Sequence, residues 1–175
     1  ELGILARAFN TMTEKIKEQF LTIHNQNELK KAIFHNMSHA IISTDKNGII
    51  TMINNQTQTL LGYEEKEIVG KVTPEIFFDK EDMKEKAKSF SKELNENIEA
   101  NFNLFVIKTL KGLTNQNSWK LISKDGKQLV ANLNVNALKD ENGQIYGFVG
   151  VIEDITEKYD LEVALKEETH RLKSI

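Results

Sequence analysis

Residues 143–161 read GQIYGFVGVIEDITEKYDL, and within this one stretch a strand pattern becomes a helix pattern. Asn142-Gly143 at its start is a turn signal. Ile145, Tyr146, Phe148, Val149, Val151 and Ile152 then form an apolar run rich in β-branched and aromatic side chains, the composition of a buried strand. Beyond Asp154-Ile155-Thr156 the pattern turns charged and helical, with Leu161 and Leu165 four apart and Leu172 seven further on. A core strand therefore feeds directly into an outgoing helix. Asp154, Ile155 and Thr156 form the joint, and the side-chain oxygens of Asp154 and Thr156 suit the capping of that helix.

Working outward, Trp119 to Ser123 and Leu129 to Leu138 read as two further strands, joined at Lys124-Asp125-Gly126 and leading through Asp140-Glu141-Asn142-Gly143 into the strand Ile145 to Ile152. Ala40 to Thr44 and Ile49 to Ile53 form another hairpin around Asp45-Lys46-Asn47-Gly48. Between the two groups, Thr59 to Leu61, Glu64 to Val69 and Pro74 to Phe77 are short helical pieces around Gly62 and Gly70. The charged segment Asp79 to Glu99 places Met83, Ala87, Phe90 and Leu94 on one helical stripe with a solvated back. Ala100 to Leu110 carries Phe102, Phe105, Val106 and Leu110 at helical spacing and stops at Lys111-Gly112. Two strands, several helices and three strands predict an α+β domain, a five-stranded antiparallel sheet with its helices on one face.

The run GFVGVIEDITE, Gly147 to Glu157, resembles the last strand and terminal Asp-Ile-Thr motif of PAS domains, the small sensor modules of bacterial signalling proteins. The patterns INN, LLGY and EIVGK, and the segment WKLISKDGKQLVANLNVNALKDENGQIYGFVGVIEDITE, are similar to the same family. The resemblance covers residues 38–157 and implies the PAS strand order 2-1-5-4-3, with Ile145 to Ile152 at the centre. It also implies that Asp154, Ile155 and Thr156 form the signal-transmission motif. Asp79 to Glu99 is longer than the corresponding segment of many members.

Ahead of this domain, Leu2, Leu5, Phe9, Met12 and Ile16 alternate spacings of three and four, and the phase resumes at Ile23, a heptad seam suited to a partner helix. ELGILARAFNTMTEKI resembles the end of a HAMP domain, the relay that follows the last membrane helix of many bacterial receptors. The expected organisation is the end of a HAMP second helix over 1–20, a linker or capping helix over 21–37, the PAS domain over 38–157 and the start of an output coiled-coil helix over 158–175. The seams at the two ends, the second made of Leu161, Leu165, Leu172 and Ile175, predict flanking coiled coils and a parallel homodimer. The two resemblances together imply the cytoplasmic portion of an inner-membrane protein, a sensor histidine kinase or a diguanylate cyclase. An upstream membrane segment and a downstream output domain are then its own partners. The chain begins at Glu1 without a methionine and ends inside a helical pattern, which reads as a piece of a longer protein.

Composition narrows the function classes. A net charge of -3 with 28% charged residues, and scattered basic positions, gives no electrostatic case for nucleic acid. The absence of cysteine excludes disulfides, thiolate metal sites and a thiol nucleophile. No run approaches the roughly 20 apolar residues of a membrane span, and there is no signal peptide. His24, His35, His39 and His170 lack metal-ligand spacing, so no metal site is expected. Haem-binding and photoadduct flavin PAS domains use, respectively, a histidine on the long helix and a cysteine. Ala100 to Leu110 has no histidine and the chain has no cysteine, which excludes a photoadduct flavin and argues against haem.

Period-two alternation puts Trp119 and Leu121, then Leu129, Ala131, Leu133 and Val135, then Tyr146, Phe148, Gly150 and Ile152, on corresponding faces of their strands. By resemblance these faces look toward the helices. The candidate ligand pocket is Phe102, Phe105, Trp119, Leu121, Ala131, Leu133, Phe148 and Ile152. The reading these spacings favour is a filled hydrophobic core, and any occupant would be small or apolar. Asn132, Asn134 and Asn136 occupy the opposite face, the pattern of a solvated sheet surface or of one met by a capping helix, for which Ile33 to Met37 is the candidate. Asn36-Met37-Ser38-His39 resembles the phosphoacceptor box of histidine kinases. Here Ala40-Ile41-Ile42-Ser43 follows in place of the acid that assists the imidazole, and no phosphate-binding glycine loop is present. The reading is a non-enzymatic sensor and relay. Its alternatives are a phosphoacceptor at His39 and a ligand-free dimerisation spacer.

Overall fold

The computed structural model describes residues 1–173, so the seam position Ile175 lies outside the described residues. The chain divides into two units, Glu1–Met37 and the part from Ser38 onward. The first is one unbroken helix, α1 (Leu2–Asn36), 35 residues long and about 50 Å from end to end. The polar stretch His24 to Asn27 does not interrupt it. None of its residues is buried, and the seam residues Leu2, Leu5, Phe9, Met12 and Ile16 are all more than half exposed. Thr11, Thr13 and Thr22 donate their hydroxyls to carbonyls four residues back, which keeps these otherwise poor helix formers satisfied.

The second unit contains β1 (Ala40–Asp45), β2 (Ile50–Ile53), α2 (Asn55–Leu61), α3 (Glu65–Ile68), a 3-10 turn (Pro74–Phe77), α4 (Lys80–Leu94), α5 (Asn103–Leu110), β3 (Gln116–Ile122), β4 (Gln128–Lys139), β5 (Ile145–Asp154) and α6 (Thr156–Lys173). The strands form one antiparallel sheet in the order β2-β1-β5-β4-β3, with β5 in the middle. This is the fold class and strand order expected from the sequence. One face of the sheet packs against the helices around a single apolar core.

Two bulges depart from simple alternation. In β2, Ser43 pairs with Met52 but Thr44 pairs with Ile50, so Thr51 is an extra residue. Ile50 and Ile53, three apart, can therefore both be fully buried while Thr51 and Met52 face out. At the start of β5, Leu138 pairs with Gly147 and Lys139 with Ile145, leaving Tyr146 as the extra residue. Tyr146 is 58% exposed, not on the core face given by alternation, and Ile145 packs against the core instead.

The hairpin β1–β2 is tied to α2 by one side chain. Asn54 is fully buried, and its Oδ1 accepts from the N–H of Ile41 (2.9 Å), the N–H of Thr57 (3.0 Å) and the hydroxyl of Thr57 (2.8 Å). Its Nδ2 donates to the His39 carbonyl at 2.8 Å. The residue thus caps α2 and closes the top of β1 at once. Helix α4 docks through its first turn: the Asp79 carboxylate caps it at Asp82 N–H, and Asp82 Oδ2 accepts the Lys120 N–H of β3 at 2.9 Å. Its stripe Met83, Ala87 and Phe90 is buried, and Lys108 of α5 pairs with Glu93 at 2.9 Å beside the Phe90 ring.

Asn54→Ala deprives the N–H groups of Ile41 and Thr57 and the His39 carbonyl of their Asn54 partner, while the Thr57 hydroxyl keeps the Ile41 carbonyl at 2.9 Å, and it removes a helix cap. A loss of about 2 to 4 kcal/mol is expected from such a site. Urea denaturation of wild type and variant should show the midpoint falling with an unchanged slope, and a midpoint equal to wild type would refute the role assigned to Asn54.

Candidate functional site

Two features of the second unit have the makings of a functional site, an interior cavity and the strand-to-helix joint. The cavity lies between the sheet and α5, measures about 30 Å3, and is walled by Ile42 and Thr44 of β1, Phe102, Phe105 and Val106, Leu133 and Val135 of β4, and Phe148, Gly150 and Ile152 of β5, with Pro74 and Phe78 closing it. Drug-sized ligands occupy roughly 300 to 1,000 Å3, so in this conformation there is room for only a few heavy atoms. The ring of Phe102 rests on the Gly48 turn, where a Cβ would sit 2.5 Å from the ring, and stands edge-on to Phe148.

Of the eight pocket residues read from the sequence, Phe102, Phe105, Leu133, Phe148 and Ile152 line the cavity. Trp119, Leu121 and Ala131 are buried but do not reach it. Strand alternation gives the face of a residue and not its distance along the sheet. These three belong to β3 and the adjoining part of β4, where Phe78, Phe90 and Phe105 pack on Trp119 with ring centres 5.4, 6.5 and 5.0 Å away and fill the space. Ile42, Thr44, Pro74 and Phe78 also line the cavity and are not among the residues that the sequence places there. For Thr44 the signal was available, because it alternates with the buried Ile42 on β1. Its hydroxyl is buried and has no hydrogen-bond partner among the described residues.

No titratable side chain lines the cavity. The displaced pKa values belong to surface groups. The Lys124 ammonium holds Glu67 below the usual carboxylate range, the Ser123 hydroxyl does the same for Asp125, and Glu64 and Glu81 raise Lys66 and Lys84. Among the described residues no group of His, Asp and Glu could hold a metal ion. The cavity is therefore built for packing or for neutral binding, and not for acid–base chemistry.

At the joint, capping and anchoring fall to different residues. Asp154 Oδ1 accepts the Thr156 N–H at 2.9 Å and the Thr156 hydroxyl at 2.5 Å, so Asp154 is the cap. Thr156 Oγ1 instead accepts the Val130 N–H of β4 at 3.0 Å, while the Ile155 N–H donates to the Val130 carbonyl at 2.8 Å. The β4–β5 ladder, whose last regular pair is Ala131 with Asp154, is thereby carried one step further into the start of α6. Val130 takes part in the joint through backbone atoms alone, which leaves no signal in the sequence. Beyond the joint, Leu161, Leu165 and Leu172 of α6 are each more than 60% exposed. On the other sheet face, Asn134 and Asn136 are exposed and bonded to each other, and Asn132 reaches Glu153. His39 precedes β1 and lies outside any helix, with Ser38 Oγ 3.2 Å from its ring.

The chain is 23% identical over 162 residues to the sensor protein kinase WalK of Staphylococcus saprophyticus and 24% identical to that of Staphylococcus aureus. Both matches cover 93% of this chain, which spans 23% of the first relative and 33% of the second. Among solved structures, the PAS domain of a Colwellia psychrerythraea protein superposes with a TM-score of 0.59 at 20% identity, covering 74% of this chain and 97% of that one. A sensory box histidine kinase/response regulator structure from Burkholderia thailandensis gives 0.57 at 15% identity, covering 83% and 98%. With the family profile described as PAS domain matching residues 38–157, the sheet order and the joint have a common explanation: the chain belongs to the PAS domain family.

Proposed function

We propose that this chain is the sensory and relay segment of a bacterial transmembrane receptor. A conformational change enters through residues 1–20, the end of a HAMP second helix, and passes along 21–37 into the PAS domain. It leaves through α6 toward a C-terminal output domain. The observation that carries this reading is the joint, where Val130, Asp154, Ile155 and Thr156 bind the base of α6 to two strands of the sheet. A displacement between β4 and β5 has to appear as a change in the direction or register of α6.

The names of the curated relatives favour a membrane-bound sensor histidine kinase as parent over a diguanylate cyclase. On this reading the chain is the cytoplasmic portion of an inner-membrane protein, although among its described residues no helix is long and apolar enough to cross a membrane. It performs no catalysis itself and uses neither haem nor a photoadduct flavin. His39 suits a phosphoacceptor poorly, because it stands off any helix with its backbone carbonyl held by Asn54 and no acid beside it in sequence. The exposed seams of α1 and α6 support a parallel homodimer, since an uncovered heptad stripe gains most of its stability from a matching partner.

Sedimentation of the chain at tens of micromolar is expected to show a dimer, with Phe9→Asp plus Leu165→Asp weakening association at least tenfold. A strictly monomeric wild-type species at high micromolar concentration would contradict the dimer. In the full-length parent, Asp154→Ala and Thr156→Ala are expected to change output activity or its response to stimulus. Loss of one cap or anchor costs about 0.5 to 2 kcal/mol, too little to unfold a domain, so the circular dichroism spectrum of the chain should persist. Thr156→Ser keeps the oxygen and should behave as wild type. Unaltered output from both alanine variants would reduce the motif to a strand terminator.

A further inference from the structure

We infer that Asn142 is a site of spontaneous deamidation, losing its side-chain amide as ammonia through a cyclic imide formed with Gly143, while Asn47 in the matching turn is protected from the same reaction. The two turns are built alike. In Asp45-Lys46-Asn47-Gly48, between β1 and β2, Asp45 Oδ1 accepts the N–H groups of Asn47 at 2.8 Å and Ile49 at 2.9 Å, and the Gly48 N–H donates to the Asp45 carbonyl at 3.2 Å. In Asp140-Glu141-Asn142-Gly143, between β4 and β5, Asp140 Oδ1 accepts the N–H groups of Asn142 and Gln144, both at 2.9 Å, and the Gly143 N–H donates to the Asp140 carbonyl at 2.9 Å. Both asparagines are exposed, and both glycines have a positive φ.

The reaction starts when a base removes the glycine amide proton and the nitrogen attacks the asparagine Cγ. A new N–C bond closes the imide, and the bond from Cγ to the side-chain nitrogen breaks to release ammonia. Water then opens the imide at either carbonyl, leaving aspartate or isoaspartate. The turn gains a carboxylate and, in isoaspartate, a methylene in its main chain. Attack requires the Asn-Gly peptide to rotate and the glycine nitrogen to leave its hydrogen bond. Gly143 is exposed and a Cβ built on it would meet nothing within 4 Å, so this rotation goes into solvent. Gly48 is buried against the Phe102 ring, 2.5 Å from the place of a Cβ, and that ring stands edge-on to Phe148. Rotation there has to displace packed core. The hydrogen bonds alone do not protect Asn47, since the Gly48 bond is the longer of the two. Modification therefore falls on the hairpin whose other end pairs Ala131 with Asp154, and it sets a new negative charge beside Asp140 and Glu141.

The test is to hold the folded chain in warm, mildly alkaline buffer, with a second sample unfolded in guanidinium chloride, and to follow both turns by peptide mass spectrometry and isoaspartyl methyltransferase labelling. In the folded chain Asn142 is expected to deamidate at least about tenfold faster than Asn47, with isoaspartate among its products, whereas in the unfolded chain the two react at similar rates. Phe102→Ala uncovers Gly48 and should bring Asn47 toward the rate of Asn142; a folded Phe102→Ala chain with Asn47 still inert would refute the shielding by the ring. Equal rates in the folded wild type, or an Asn142 that stays intact while the unfolded chain is converted, would overturn the inference. Deamidation of Asn142 without isoaspartate would exclude the imide route.

Discussion

Both polar groups of a single peptide residue, the N–H and C=O of Val130, are committed to the first residues after β5. An ordinary strand end releases its chain to solvent. Here the ladder instead continues through Ile155 and Thr156, so α6 starts while still bonded to β4. The Thr156 hydroxyl donates to Asp154 Oδ1, which orients the oxygen that accepts from the Val130 N–H. The helix beyond it has 18 residues in its described length, about 27 Å. A tilt of about 10° at the base would move its far end by about 5 Å, a large displacement for a small change in the sheet.

The core is packed unevenly. Around Trp119 three phenylalanine rings close the interior, and Asp82 and Asp79 lock α4 onto the edge strand β3. Around Phe148 the packing relaxes into a small apolar cavity. Gly147 lets β1 and β5 approach so closely that a Cβ would lie 2.1 Å from the Thr44 carbonyl oxygen. The soft region therefore borders the central strand, and that strand leads to Val130 and α6.

The sheet was legible because its strands are apolar runs separated by Asn-Gly and Asp-Gly turns, and because Asp154-Ile155-Thr156 interrupts one of them abruptly. The PAS resemblance contributed the strand order, which periodicity alone does not provide. Alternation misplaced Tyr146, because a bulge there inserts one residue between Ile145 and Gly147 and turns Tyr146 outward. It also failed to separate Trp119, Leu121 and Ala131 from the cavity, since residues on one face can be far apart along the sheet. Asn54 and Val130 were hidden for another reason. Their importance lies in backbone groups brought together from residues 13 to 26 positions away, a proximity that only the folded topology creates.

Amide hydrogen exchange at Val130, Ile155 and Tyr159 tests most directly whether sheet and helix form one mechanical unit. Tyr159 N–H donates to the Ile155 carbonyl in the first turn of α6, so it reports the helix, while Val130 and Ile155 report the clasp. If the account is right, the three amides open with a common free energy, and Thr156→Ala accelerates all three together while Ala131 and Ile152 remain protected. If Tyr159 exchanges freely while Val130 and Ile155 stay protected, in the wild type or in Thr156→Ala, the helix moves independently of the sheet and the joint transmits nothing.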